Sequence, residues 1–590
     1  MSKIHLLDIV TINKIAAGEV VARPVSVVKE LVENSIDAGA KSITIKIKDG
    51  GKTSIQIIDD GCGMDSDDAK KAFIRHATSK ITSIEDLFFL DTMGFRGEAI
   101  PSIASVSKFT LQTAVNNNQK GLELSYIGGE LIKENELSLS KGTTITVENL
   151  FYNIPARLKF LKQDKTELVH IIKCIQAFAL EYPQVAFSLS SNQTSILELP
   201  GAGNIEEVVS EIFTHEVYKN MKKIEYTIEG CVVQGFVSNP SHTRSDRDKQ
   251  FFFVNHRLVN SATISKALRD ALNYFYPPNR QAYIYLSILI DSSEVDVNVH
   301  PAKSEVKFRN DSAIYKIVKV SVNKTFENDC QPNDFNVSED NRPVFVDHKV
   351  ITKGYSSKDT NEYKKEYSKP ASLDNNMMNL LFTPDKMEVS QNNSLKDEFS
   401  CLDVLQYKNT YLIFEYDKSI YVIDQHIAHE RILYEKLKNQ EKQVFSQELL
   451  LPETIHVDAA EKVKMDLAKN SLEGMGFSLE EFGKDTYILR AVPDNIPTSK
   501  SKTILQDLLS EDFSTKDSDK LSQRVLISLS CKAAVKAGDH LSPLERTQLV
   551  QDWLNVSNKE SCPHGRNIAK IFVKSEIDKW FGRCIMPHIV

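Results

Sequence analysis

Glu30 and Asn34 stand four residues apart in a stretch with helical apolar spacing, so both side chains project from one face. A carboxylate there can take a proton from water, and an amide oxygen can ligate Mg²⁺ without adding charge. A solvated polar face would look the same, so the pair gains meaning only from its company. Asp59-Asp60-Gly61-Cys62-Gly63 follows: Asp59 can accept from an exocyclic amine, and Gly61 and Gly63 let a flat base approach the backbone. Gly94-Phe95-Arg96-Gly97-Glu98-Ala99 precedes an apolar helical stretch, where free N–H groups and a positive dipole end suit phosphate. Between them, Arg75-His76-Ala77-Thr78-Ser79-Lys80 is polar and basic, fit to cover a nucleotide.

A second set lies near the other end. If a helix begins near Gln425, His426 and Glu430 share a face at i, i+4. Far downstream come Cys531 and the pair Cys562, His564. Two thiols, two imidazoles and a carboxylate form a borderline-soft set suited to Zn²⁺ or Mn²⁺. Scattered structural cysteines are the plain alternative.

The elements around the first set are legible. Pro24 suits the first turn of a helix whose stripe Val27, Val28, Leu31, Val32 runs to Gly39, a C-cap. Ile43, Ile45, Ile47 and Ile55, Ile57 alternate across a turn at Asp49-Gly50-Gly51, which predicts a hairpin delivering Asp59. A second αβ block follows from about Asn204, with strands at Phe251-Phe252-Phe253-Val254 and Tyr283 to Ile290. From Gln331 to about Glu398 the chain is rich in Asn, Asp, Ser and Lys without sustained period, which predicts a flexible linker. Tyr421-Val422-Ile423 reads as a buried strand feeding the second set. The expected division is residues 1–203, 204–330, linker 331–398 and 399–590.

With 590 residues the prior is several domains. The formal charge of −8 excludes a uniformly basic nucleic-acid binder, so DNA contact needs a local basic groove. Arg244, Arg247, Lys249, Arg257, Lys266 and Arg269 are candidates for it. Eight cysteines make no disulfide scaffold. No apolar run spans a bilayer and the N-terminus lacks a signal-peptide core, so a cytoplasmic, nucleoid-associated location without membrane contact is expected.

The run from Ile15 to Ala40, DDGCGM at 59–64, RHATSK at 75–80 and GFRGEA at 94–99 closely resemble the MutL mismatch-repair proteins. That family shares its ATPase fold with type II topoisomerases, heat-shock chaperones and histidine kinases. The resemblance implies a GHKL (Bergerat-type) α/β sandwich with a left-handed βαβ unit, a ribosomal S5-like αβ domain, and a C-terminal α/β dimerisation and endonuclease domain. It implies Glu30 as general base, Asn34 as the Mg²⁺ ligand with ATP, and Asp59 as adenine reader. Gly61, Gly63, Thr78, Ser79, Lys80, Gly94, Phe95, Arg96 and Gly97 would line the nucleotide, with Thr143 from the strand motif Gly142-Thr143-Thr144. Lys303, in Asp296 to Lys303, would reach the γ-phosphate from the second domain.

The C-terminal segments resemble the endonuclease-type signature of the same family, mapping onto Asp424, His426, Glu430, Glu435, Cys531, Cys562, His564, Arg566, Phe581 and Arg583. Ile427, Ser530, Lys532 and Asn567 depart from it without removing a ligand. The implied chemistry is metal-assisted phosphodiester hydrolysis, with Asp424, Glu430 and Glu435 catalytic and Mn²⁺ or Zn²⁺ bound. Gln447-Glu448-Leu449-Leu450-Leu451-Pro452 resembles the family's sliding-clamp motif; an internal edge strand fits it too. The expected partners are DNA, the mismatch-recognition protein MutS, the sliding clamp and a second copy of the chain. Two rivals stand beside this reading: an ATP-gated matchmaker with a purely structural metal, and a topoisomerase-like ATPase. The second lacks an Glu-Gly-Asp-Ser-Ala metal segment.

Overall fold

A computed structural model describes residues 21–80, 93–94, 97–117, 119–228, 230–277, 280–296, 306–327, 402–440, 445–511 and 518–583. Phe95, Arg96, Lys303 and the expected linker lie outside them.

Helix α1 (Pro24–Asp37) begins on proline and buries Val27, Val28, Leu31 and Val32. It ends where the chain turns through Gly39 at φ +70°, the left-handed conformation glycine tolerates at a helix C-terminus. α1 lies against an eight-stranded sheet: β1 (Ser42–Lys48), β2 (Ser54–Asp59), β3 (Lys108–Ala114), β4 (Gln119–Ile127), β5 (Glu130–Leu139), β6 (Gly142–Glu148), β7 (Ala186–Ser191) and β8 (Thr194–Leu199). The strand order is β5-β4-β3-β6-β2-β1-β7-β8, with only the β1–β7 pair parallel. Ile43, Ile45 and Ile47 of β1 and Ile55 and Ile57 of β2 face inward, so the alternation in the sequence becomes one core layer. The hairpin ends with Asp59 opposite Thr143 of β6.

Helix α2 (Asp164–Glu181) also covers this sheet. Its His170 carries a buried Nε2 without a hydrogen-bond partner among the described residues. Burial, with Arg23 nearby, pushes the imidazole down to about 4 from 6.5. Above pH 6.5 the ring is neutral in both folded and unfolded chains. As pH falls from 6.5 toward 4 the unfolded chain takes up a proton the folded one refuses, and stability is lost. At pH 5 that loss is about 2 kcal/mol. Urea unfolding at pH 7 and pH 5 checks it: His170→Phe narrows the gap between the two midpoints, and an unchanged gap contradicts the assignment.

The second block holds β9 (Met221–Ile228), β10 (Cys231–Ser238), β11 (Gln250–Val254), β12 (Arg257–Leu258) and β13 (Ile284–Leu289), ordered β12-β11-β13-β10-β9. Helices α3 (Ala262–Leu272) and α4 (Asp311–Glu327) share its core through Ile264, Leu268, Ile314 and Val318. Three of the six basic residues expected to form a DNA groove here do not face solvent. Arg244 pairs with Asp246 and Glu461, Lys249 pairs with Asp458 at 2.8 Å, and Arg257 is buried. Arg247, Lys266 and Arg269 stay exposed. The sequence cannot announce carboxylates some two hundred residues away, and those carboxylates claim Arg244 and Lys249.

Lys249 and Asp458 are 3 % and 1 % exposed. Removing one member of such a pair strands a charge, so Lys249→Met costs about 3–5 kcal/mol in denaturation. Adding Asp458→Asn restores part of this, because Asn still caps the helix that Asp458 begins. No recovery in the double variant would refute the pairing.

The C-terminal block contains β14 (Leu405–Tyr407), β15 (Tyr411–Tyr416), β16 (Ser419–Asp424) and, late in the chain, β20 (Ala569–Val573), ordered β14-β15-β16-β20. A second sheet, β17 (Ser446–His456), β18 (Ser478–Glu481) and β19 (Thr486–Pro493), has the order β17-β19-β18. Helices α5 (Gln425–Gln440), α6 (Ala459–Gly474), α7 (Ser501–Leu509), α8 (Ser518–Ala533), α9 (Pro543–Leu554) and the short α10 (Lys574–Trp580) belong to it. None of the helices among the described residues is long and apolar enough to cross a membrane.

Candidate nucleotide and metal sites

The first constellation forms along α1. Glu30 and Asn34 lie half-buried on it, as their spacing predicts. Lys80 Nζ donates to Asn34 Oδ1 at 3.0 Å and to Asp37 Oδ2 at 2.5 Å. The Lys80 ammonium thus lies on the Asn34 amide oxygen, its charge balanced by the Asp37 carboxylate. Asp37 is a site residue the sequence reading passed over; its position one turn beyond Asn34 was the available signal. Its carboxylate also accepts the N–H groups of Met93 and Gly94 at 3.1 and 3.2 Å.

Asp59 accepts from the Ser35 hydroxyl at 2.8 Å and from Gly61 N–H at 3.0 Å. Burial raises its carboxyl above the usual range, against those hydrogen bonds. Thr143, beside it on β6, places its hydroxyl 3.1 Å from that of Thr113. Two glycines hold the loops. At Gly63 (φ +69°) a Cβ would meet the Ala114 carbonyl oxygen at 2.1 Å, so only glycine lets DDGCGM close onto β3. At Gly97 (φ +60°) a Cβ would meet the Ala77 carbonyl oxygen at 2.2 Å, which seats Gly97 directly on Ala77 of RHATSK. Within that motif Thr78 Oγ1 accepts Lys80 N–H at 3.2 Å, while Ser79 is exposed. Among the described residues, Asn34, Lys80, Asp37 and Gly94 meet beside α1, and Asp59 is tied to the same helix through Ser35.

The second constellation surrounds α5, which starts at Gln425. Asp424 Oδ1 accepts the N–H groups of His426 and Ile427 at 2.9 and 3.1 Å and so caps the helix. The ligand atoms of His426, Glu430 and Cys531 lie within 4.8 Å of one another, and so do those of Glu430, Cys562 and His564. Glu430 belongs to both groups, is buried, and is hydrogen-bonded by His564 Nδ1. The donor set suits Zn²⁺ or Mn²⁺ in type and in spacing. His426 Nδ1 lies 2.8 Å from the Val535 carbonyl oxygen, so the ring donates there and leaves Nε2 as a ligand. Burial, with Glu430 beside it, raises the Cys531 thiol; a bound cation would reverse that. The Cys562 turn is tied by His564 N–H to Sγ at 3.3 Å and Gly565 N–H to the Cys562 carbonyl at 2.9 Å.

Glu435 is in neither group. Its carboxylate accepts Ser557 N–H at 2.8 Å, Ser557 Oγ at 2.7 Å, Asn558 N–H at 3.3 Å and Arg431 Nε at 2.8 Å. Burial would raise it, but these donors outweigh burial and hold it below the usual carboxylate range. Here it fastens the loop leading to Cys562. Gln425, which the sequence marks only as the start of a helix, is fully buried and donates to the carbonyls of Asn409, Lys536 and Asp539. It joins the start of α5 to the chain beyond Cys531.

Three family models match separate parts of the chain. The family described as "Histidine kinase-, DNA gyrase B-, and HSP90-like ATPase" matches residues 22–151. "DNA mismatch repair protein, C-terminal domain" matches 209–327, and "MutL C terminal dimerisation domain" matches 404–541. "DNA mismatch repair protein MutL" of Thermoanaerobacter pseudethanolicus is 36% identical over 612 residues, covering 99% of this chain and 100% of the relative. The protein of that name from Clostridium botulinum (strain 657) is 34% identical over 664 residues, with the same coverage. Similarity of this extent, end to end, makes the chain a member of the MutL family of DNA mismatch-repair proteins, with a GHKL-type ATPase domain at its N-terminal end.

Proposed function

We propose that ATP binding closes a homodimer of this chain around DNA and licenses a metal-dependent nick in the error-containing strand, after a MutS-type protein has marked the mismatch. In the ATPase domain Glu30 takes the proton of the attacking water and Asn34 holds Mg²⁺. Asp59 and Thr143 orient the adenine, and Lys303 meets the γ-phosphate.

The observation that carries the nicking claim is the convergence of His426, Cys531, Cys562 and His564 on the buried carboxylate of Glu430. A metal bound there, Mn²⁺ or Zn²⁺, supplies water activation and charge neutralisation at a phosphodiester. Asp424 fixes the start of α5 and Glu435 fixes the loop before Cys562, so both act by holding ligands in place. His564 is exposed, so a substrate can approach the ligand groups from that side, as nicking requires and the matchmaker reading does not.

The outer face of the β14-β15-β16-β20 sheet supports the homodimer. Leu405, Tyr407, Tyr411 and Ile420 lie exposed on it, an apolar face suited to a second copy. Gln447–Pro452 falls in β17, where pairing with β19 breaks between Glu448 and Glu453 and Leu450 is 99 % exposed. Such an unpaired apolar bulge is available to a sliding-clamp groove.

Nicking of supercoiled plasmid with Mn²⁺ is the test. Intact protein is expected to nick, whereas Asp424→Asn and Glu430→Lys proteins with normal ATP turnover are not. Absence of nicking by the intact protein leaves the matchmaker.

A further inference from the structure

Asp37 stands one turn beyond the Mg²⁺-ligand position, and three separate parts of the chain meet at it. Its side chain is 9 % exposed and takes the ammonium of Lys80. Met93 N–H donates to Oδ1 at 3.1 Å and Gly94 N–H to Oδ2 at 3.2 Å, so two successive amides straddle one carboxylate as they would an anion. The same short segment is held from its other side: Arg257, on β12 of the second block, donates through its guanidinium to the Met93 carbonyl at 3.3 Å. Arg257 is buried, and burial lowers its guanidinium from the usual value while Glu33 and Asp37 oppose that change. Gly94 sits close in: a Cβ there would lie 3.0 Å from Lys80 Nζ and 3.5 Å from Asn34 Oδ1.

We infer that Asp37 and Arg257 are positioning residues for ATP turnover, which together fasten Met93–Gly94 beside Asn34 and join the nucleotide site to the second domain. This deepens the ATPase reading and rests on it. Asp37 sets where the phosphate-side segment begins, through charge-assisted bonds to consecutive amides. Arg257 makes that placement depend on where β12 lies, so movement of the second block is felt at Gly94. A role confined to stability would leave the path from β12 to nucleotide affinity silent.

Two readouts on the full chain test this: ATP kinetics, and amide hydrogen exchange at Met93 and Gly94 without nucleotide. Asp37→Asn keeps the shape but donates from one side of its amide, so it holds only one of the two N–H groups. It is expected to raise KM for ATP by about 10–100-fold with kcat within about threefold, the scale of a lost bond to a charged group. Exchange at residues 93 and 94 should quicken by a similar factor. Arg257→Met is expected to raise KM by about 5–10-fold, and Arg257→Lys, which retains one donor, to recover much of it. Should Arg257→Met not fold, Asp37→Asn and Arg257→Lys carry the test alone. Wild-type KM and exchange in folded Asp37→Asn protein overturn the inference. So does an Arg257→Lys protein that loses kcat with KM unchanged. Failure of the ATPase reading itself would look different, as absence of turnover in the unaltered protein.

Discussion

Glu30→Ala protein is expected to bind ATP within about threefold of the parent affinity and to lose at least about 100-fold in turnover, the usual worth of a positioned general base. The reasoning is geometric. Glu30 shares a face of α1 with Asn34, and neither the Asp59 contacts with Ser35 and Gly61 nor the Asp37 contacts with Met93 and Gly94 involve it. Binding therefore survives while proton removal does not. Equilibrium binding of a fluorescent ATP analogue beside steady-state phosphate release separates the two. Unchanged hydrolysis removes Glu30 from the base role; lost binding means that it shapes the pocket instead.

The second large effect concerns Glu430, the residue common to both ligand groups. Glu430→Gln keeps the shape and removes the charge, so both groups lose their anionic centre at once. Cys531→Ser and Cys562→Ser each impair one group. Loss of a direct ligand should exceed the 10–100-fold typical of losing an outer-shell partner, so Zn²⁺ affinity of Glu430→Gln is expected to fall by more than about 100-fold. Each Cys→Ser change removes a direct ligand from one group only, so it should also exceed that outer-shell scale but stay below the Glu430→Gln loss. Chelator competition measures it, and equal affinities across the three variants would contradict a shared carboxylate. The ATPase site shares none of these residues, so ATP turnover by Glu430→Gln protein is expected to stay at the parent rate.

Local periodicity carried most of the first site into view. The i, i+4 spacing of Glu30 and Asn34, the Ile43–Ile57 alternation and the start of α5 at Gln425 are short-range facts, and each appears as the pattern predicts. The meeting of Cys531 and Cys562 with Glu430 is a tertiary fact, carried by no periodicity; residue chemistry and family likeness suggested it, and packing supplied the distances. Arg244, Lys249 and Arg257 show the limit from the other side. Basic residues in an αβ block read as solvated, yet Glu461, Asp458 and the Met93 carbonyl claim them. Asp37 was hidden for a simpler reason: a carboxylate near the end of a helix looks like an ordinary polar position until two backbone amides are seen to converge on it. Glu435 was legible as a carboxylate of the right spacing, but its four donors from Arg431, Ser557 and Asn558 could not be read in advance.

X-ray absorption at the zinc edge of Zn²⁺-loaded full-length protein tests the tail-half metal most directly. The account predicts a mixed shell, sulfur near 2.3 Å and nitrogen or oxygen near 2.0–2.1 Å, with the sulfur signal lost in the Cys531→Ser, Cys562→Ser double variant. A shell of oxygen alone in the unaltered protein, or a sulfur signal that survives the double substitution, would contradict it.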